Sequence, residues 1–220
     1  MAEPTAEIHL SKRFFKATEW AAAQHADRAH DALPVTPSLG QVLGIASLVL
    51  EDGGTEREAI AAMLLDAVGD DEVPGPEIRR RFGKKVERLV RRCADARADA
   101  GRGDRRLDAD AWRARRARAL ELLAEDDDPS VLRVRAADAL RELRALVSEL
   151  RRHGSIAFAR FPAPPTEQLD HYRSLVAAFT MRMPRSHLDQ ELRAAVSELD
   201  RLVELETATA AWRVAHIDAA

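Results

Sequence analysis

Ala61-Ala62-Met63-Leu64-Leu65-Asp66-Ala67-Val68-Gly69-Asp70, read with Ala136-Ala137-Asp138-Ala139-Leu140-Arg141, decides the fold of this 220-residue chain. Each stretch sets an aspartate, Asp66 in the first and Asp138 in the second, into a largely apolar helical run. A carboxylate so placed is costly unless a cation or hydrogen-bond donors meet it. Asp66 in the run Ala59 to Val68, and Asp138 in the run Val134 to Leu140, therefore pose the same question of what pairs with them. Arg141 lies three residues after Asp138 on the same helical face. The expectation is that its guanidinium, or that of Arg135, meets Asp66 and Asp138, because the planar fork binds a carboxylate bidentately and stays charged.

Outward from these two runs, almost every segment has helical periodicity, and none alternates with period two between turn residues. A first helix is predicted from about Ala6 to His30, with Phe14, Phe15, Ala17, Ala21 and Ala22 on its apolar face. Thr36-Pro37 reads as an N-cap followed by proline at the first helical position. The helix it opens stops at Gly53-Gly54, and Thr55-Glu56-Arg57-Glu58 is a capping box that starts the helix of Leu65 and Asp66. A short helix ends at Phe82-Gly83, and another runs from Lys84 to about Ala98. Gly101-Arg102-Gly103-Asp104 is the most loop-like interior stretch. Further helices are predicted from Asp110 to Glu125 and from Pro129 to His153, with Gly154 as C-cap. Phe161 to Pro165 is extended by its prolines, and Thr166–Met183 and Ser186–Glu206 are helical again. The run from Asp127 to Leu140 also has the look of a HEAT repeat, but no second copy follows at a comparable period. The prediction is one all-α domain over 1–220, a helical bundle with its core at about 6–153 and a helical extension at about 166–206.

A hydrophobic fraction of 46% with 32% charged residues is that of a globular chain, not a disordered one. One cysteine, Cys93, excludes an internal disulfide and favours a reducing compartment. Residues 1–7 lack the basic and apolar regions of a signal peptide, and no apolar run is long enough to span a bilayer, so a cytoplasmic location is expected. Net charge is −3, yet Arg79 to Arg118 holds sixteen Arg and Lys against six Asp and Glu. That +10 segment suits a polyanion, a nucleotide phosphate or an acidic partner, and it equally suits a solvated helical surface. Thirty arginines against four lysines point to coding bias rather than phosphate selection. Gly-rich phosphate loops, CxxC pairs, H-E-x-x-H and G-x-S-x-G are all missing.

Seven features in order give the chain a family likeness. Ala21 to Ala26 resembles an A-x-x-x-H-A helix carrying His25, and Thr36-Pro37 falls where the family has His-Pro. Ala62 to Asp70 resembles A-L-L-H-D-x-V-E-D, and Phe82 to Val90 resembles F-G-x-x-V-x-x-L-V. Trp112 to Arg115 resembles the W-x-x-R-K helix, and Ala137 to Arg141 resembles A-D-K/R-L-H-N. His153-Gly154 with Phe158, Phe161 and His171-Tyr172-Arg173 resembles R-H-G…W-x-R-F…Y-Y-R. Together these resemble the HD-domain phosphohydrolases of the RelA/SpoT type, in their bacterial single-domain branch.

The resemblance implies an all-α HD fold in which two histidines and two aspartates hold a manganese-like ion that activates water against the pyrophosphate ester of guanosine tetraphosphate. Carried over residue by residue, the ligand positions are Thr36, Leu65, Asp66 and Asp138. Leucine cannot ligate a metal, and two carboxylates alone suit at best a hydrated Mg²⁺. Of the acidic pair that assists the chemistry, only Asp70 remains, beside Gly69. The phosphate grip expected after His25 is shortened to Ala29-His30-Asp31. The expectation is a degenerate, inactive HD-type protein with Asp66 and Asp138 as a vestigial metal site and no cofactor. It would act by binding a guanine nucleotide, with His25, Arg135 and Arg141 as candidate contacts, or by binding a protein partner. The alternatives are a working Mn²⁺-dependent phosphohydrolase with a rearranged site, and a nucleic-acid binder using Arg79 to Arg118, which no nucleic-acid motif accompanies. Oligomeric state is left open.

Overall fold

The computed structural model describes residues 10–25, 38–68, 75–100 and 108–216, with the side chains at 25, 38, 66–68, 95–100, 160 and 210–216 outside that description. The described residues are helical with no strand: α1 Lys12–His25, α2 Ser38–Glu51, α3 Glu56–Val68, α4 Gly75–Phe82, α5 Lys84–Ala100, α6 Ala109–Glu125, α7 Pro129–His153, a 3₁₀ segment Gly154–Arg160, α8 Pro165–Arg182 and α9 His187–His216.

Helix α3 is buried on every side from Ala59 to Leu65. Ala59 to Leu65 are each at most 1% exposed, as a helix that is apolar all round must be. It packs against α1, α2, α5 and α7, so the helix of Asp66 and the helix of Asp138 are neighbours at the centre. One continuous apolar cluster runs from Ala17 of α1 to Leu199 of α9.

The capping box forms as its residues require. Thr55 N and Oγ1 donate to Glu58 Oε2 at 2.5 and 2.7 Å, and Glu58 N donates back to Thr55 Oγ1 at 3.4 Å. The α2–α3 corner before it turns on Gly53 at φ 75°. Gly54 is there for space, because a Cβ would stand 2.5 Å from Val49 O and 2.8 Å from Arg133 Cδ. Helix α7 starts at Pro129 with Asp128 as N-cap, its carboxylate accepting from Ser130 N, and it stops at Gly154 (φ 61°), whose N–H donates to Leu150 O. The stretch with HEAT-like residues is thus the first half of one long central helix.

Through that Gly54 gap comes the clamp of the fold. Arg133 of α7 donates through Nε to Asp52 Oδ2 at 3.0 Å and through Nη1 to Glu58 Oε1 at 2.8 Å. Both carboxylate side chains are only 3% exposed. Asp52 Oδ1 accepts from Leu188 N at the start of α9. One guanidinium therefore ties α2, α3, α7 and α9 together. Burial raises the Glu58 carboxyl, but the two Thr55 donors, the Ser130 hydroxyl and Arg133 outweigh it and hold it below its usual value.

Helices α7 and α9 lie parallel. Arg144 pairs with Glu191 and Arg151 with Glu198, both forty-seven residues apart. Only a parallel run keeps that offset constant. Leu188, Leu192 and Leu199 of α9 are buried in the core.

Three sequence expectations are corrected. The first helix begins at Lys12 rather than Ala6, because the Ser11 hydroxyl accepts from Arg13 N and its carbonyl from Phe14 N. Phe15 is 61% exposed instead of buried, since the buried face runs through Ala17 and Ala21. Pro165, expected to be extended, opens α8, and α9 continues past Glu206 to His216. Residues 26–30, the Thr36-Pro37 cap and the 101–104 loop lie outside the described residues.

Removing the clamp's cation strands two buried carboxylates. Arg133→Met is expected to lower the unfolding free energy by about 3 kcal/mol in urea titrations. Arg133→Lys should restore only part of it, because an ammonium point charge cannot fork between two acids.

Candidate functional site

The residues expected at the centre fall on α3 and α7, with α5 packed beside α7 and α6 packed on α5. Leu65 is 1% exposed and belongs to the continuous core, as a leucine in place of an imidazole should. Asp138 is partly buried on α7. Beside it lies the Cys93 thiol of α5, fully buried, and burial pushes its pKa far up, so it is no nucleophile.

The two candidate arginines part company. Arg135 Nη2 donates to the carbonyl of Ala119 on α6 at 2.9 Å. Burial lowers its pKa, while Cys93, Asp126 and Asp138 nearby act to keep it charged. Arg141, one turn and a half further on, leans toward α2, where a Cβ on Gly44 would stand 3.2 Å from its Nε. Gly44 leaves the room that Arg141 uses. The side chains of His25 and Asp66, and the whole of Thr36 and Asp70, lie outside the described residues.

The donor set that is described does not fit a transition-metal centre. One ligand position holds a buried hydrocarbon, and a guanidinium acts on the remaining described carboxylate. Among the described residues no three His, Cys, Asp or Glu side chains gather at ligating distance. Leucine offers no lone pair whatever its surroundings.

A second polar layer, which sequence reading missed, lies between α6 and α8. Arg116 Nη1 is 2.8 Å from His171 Nε2. Arginine has only donors, so Nε2 must accept and Nδ1 carries the proton. Arg116 also lies over the Trp112 ring, 5.4 Å from its centroid, and the Trp112 and His171 rings meet edge to face at 6.3 Å. Trp112, Gln168 and His171 are each over nine-tenths buried. Trp112 Nε1, His171 Nδ1 and both amide atoms of Gln168 find no protein partner among the described residues. Native interiors rarely leave such atoms unmet by protein or water. Trp112 and Arg116 sit four residues apart on one helical face, which is a visible signal. Their meeting with His171, fifty-five residues beyond Arg116, is visible only in the fold.

A family model described as the HD domain matches residues 17–163, more than half of the chain. The chain belongs to that family. A solved structure described as a metazoan ortholog of SpoT that hydrolyzes ppGpp and plays a role in starvation responses aligns with TM-score 0.62 and 18% identity, over 90% of this chain and 98% of that one. The protein lmo0812 from Listeria monocytogenes EGD-e aligns with TM-score 0.56 and 19% identity, over 74% of this chain and 99% of that one. At these identities the likeness is one of fold. No curated protein matches the chain. No helix among the described residues is long and apolar enough to cross a membrane.

Burial, and then the Arg116 charge, push His171 from 6.5 down to about 3. Protonation therefore favours the unfolded chain. Stability is expected to fall as pH drops below about 6.5 and to keep falling to about 3. His171→Gln keeps an acceptor for Arg116 but cannot titrate. Its unfolding free energy should vary less with pH, by up to about 1.4 kcal/mol per unit between pH 6 and 4, read from denaturant titrations at stepped pH.

Proposed function

We propose that this HD-domain protein binds a guanine nucleotide without hydrolysing it. The observation that carries the reading is Leu65, a buried core leucine where the HD motif places an imidazole. Water activation at neutral pH in this fold depends on the charge of a bound ion. A site with leucine and threonine at two of four ligand positions has lost the imidazole nitrogens that help hold such an ion. The nucleotide is suggested by the metazoan SpoT ortholog, described as hydrolysing ppGpp, whose fold this chain shares. Arg141 beside Gly44, Arg135 beside Asp138 and the residue His25 are the contacts assigned to the nucleotide. No step of a reaction is assigned to the chain.

Incubation with guanosine tetraphosphate and Mn²⁺ is expected to release no pyrophosphate, while equilibrium dialysis retains the nucleotide. Metal-dependent turnover would replace this reading with a rearranged phosphohydrolase.

The positional argument has its own test. Thr36→His with Leu65→His should restore metal affinity, so added Mn²⁺ raises the unfolding midpoint of the double variant. Saturation at one hundred times the dissociation constant is worth about 2.7 kcal/mol. Leu65→His alone should cost about 1–3 kcal/mol for an unpaired ring in the core and gain little from Mn²⁺. A folded double variant with no Mn²⁺ response would show that the ligand positions are misassigned.

A further inference from the structure

We propose a separate anion site, suited to a phosphate or pyrophosphate group, in the cleft between α5 and the first turns of α3 and α7. The cleft has a volume of about 130 Å³, and Arg57, Lys85, Arg88, Arg92 and Asp128 line it. It is remote from the HD centre, because Arg57 precedes Leu65 by eight residues on α3, about 12 Å of helix rise.

The charges in this cleft are unequally committed. Arg92 is occupied, with Nη1 on Asp128 Oδ2 and Nη2 on Asp126 Oδ1, both at 2.8 Å. Asp128 Oδ1 accepts from Ser130 N as the α7 cap. The one acid on the wall is thus turned to its own helix and answered by a cation. Arg57, Lys85 and Arg88 are exposed, and among the described residues none of the three makes an ion pair or side-chain hydrogen bond.

Three cations from two helices therefore face one concavity with no counter-charge of their own. Lys85, Arg88 and Arg92 follow one another at i, i+3 and i+7 on α5, and like charges so spaced repel by a few tenths of a kcal/mol per neighbouring pair. An anion in the cleft relieves that repulsion and bridges α3 to α5.

The chemistry favours a compact, multiply charged oxyanion. A carboxylate brings one charge to three cations, whereas a pyrophosphate brings several oxygens in a volume the cleft admits. A nucleic acid fits less well, because the cleft is a small concavity and its basic neighbours on α4 are partly committed. Arg80 and Arg81 on neighbouring α4 are both held by Glu77. This site stands or falls independently of the nucleotide reading.

The test is calorimetric titration of the full chain with inorganic pyrophosphate at low ionic strength, paired with thermal unfolding. One equivalent is expected to bind and to raise the unfolding midpoint. Lys85→Glu with Arg88→Glu should weaken binding at least tenfold and abolish the midpoint shift, and Arg57→Gln should weaken it several-fold. Arg152→Glu with Arg193→Glu, an equal charge reversal on remote exposed positions, should leave affinity unchanged. Absence of binding overturns the proposal, and so does equal loss in both double variants. Binding of a short nucleic-acid duplex through Lys85 and Arg88 without pyrophosphate binding also overturns it, in favour of a macromolecular surface.

Discussion

Two buried carboxylates, Asp52 and Glu58, share the guanidinium of Arg133, and the arrangement of the helices follows from that sharing. Neither acid tolerates burial alone. Asp52 closes α2, Glu58 caps α3, Arg133 sits in the second turn of α7, and the remaining Asp52 oxygen accepts from Leu188 N in the first turn of α9. Gly54 must lack a side chain for the guanidinium stem to reach the corner. From that anchor α3 runs two turns to Leu65, and α7 runs five residues to Asp138. The clamp thus ties together the starts of the two helices that carry the candidate positions.

Local signals made the helices readable. Thr55 and Glu58 announce a cap, Gly83 and Gly154 adopt positive φ at helix ends, and Pro129 and Pro165 stand at helix starts. Leu65 and Asp138 were readable by their place in two motifs. What the sequence hid is tertiary. Glu58 reads as a cap, and nothing nearby says that its second oxygen meets Arg133, seventy-five residues away. Arg135 reads as a partner for Asp138, yet its hydrogen bond goes to a backbone carbonyl of α6. The Arg116–His171 contact depends on α8 folding back against α6, and no spacing within either helix encodes it. Phe15 misled because a large aromatic next to Phe14 looks like core, while the helical phase turns it outward.

The departure of this chain from its family's motif is local, with Leu65 where the motif has an imidazole. An imidazole replaced by leucine removes a polar group that would otherwise need a metal or a hydrogen bond in the interior, and adds apolar surface to a helix already buried all round. That exchange suits stability and forfeits a ligand. The fold survives because the helices are held by the Arg133 clamp and by an apolar cluster spanning α1 to α9, neither of which needs an ion.

The measurement that bears most directly on this account is elemental analysis of the unaltered chain, purified with Mn²⁺ present and dialysed free of loose ions. The account predicts far less than one metal ion per chain. One tightly held transition-metal ion per chain would contradict it, and would mean that residues other than Leu65 have rebuilt the centre.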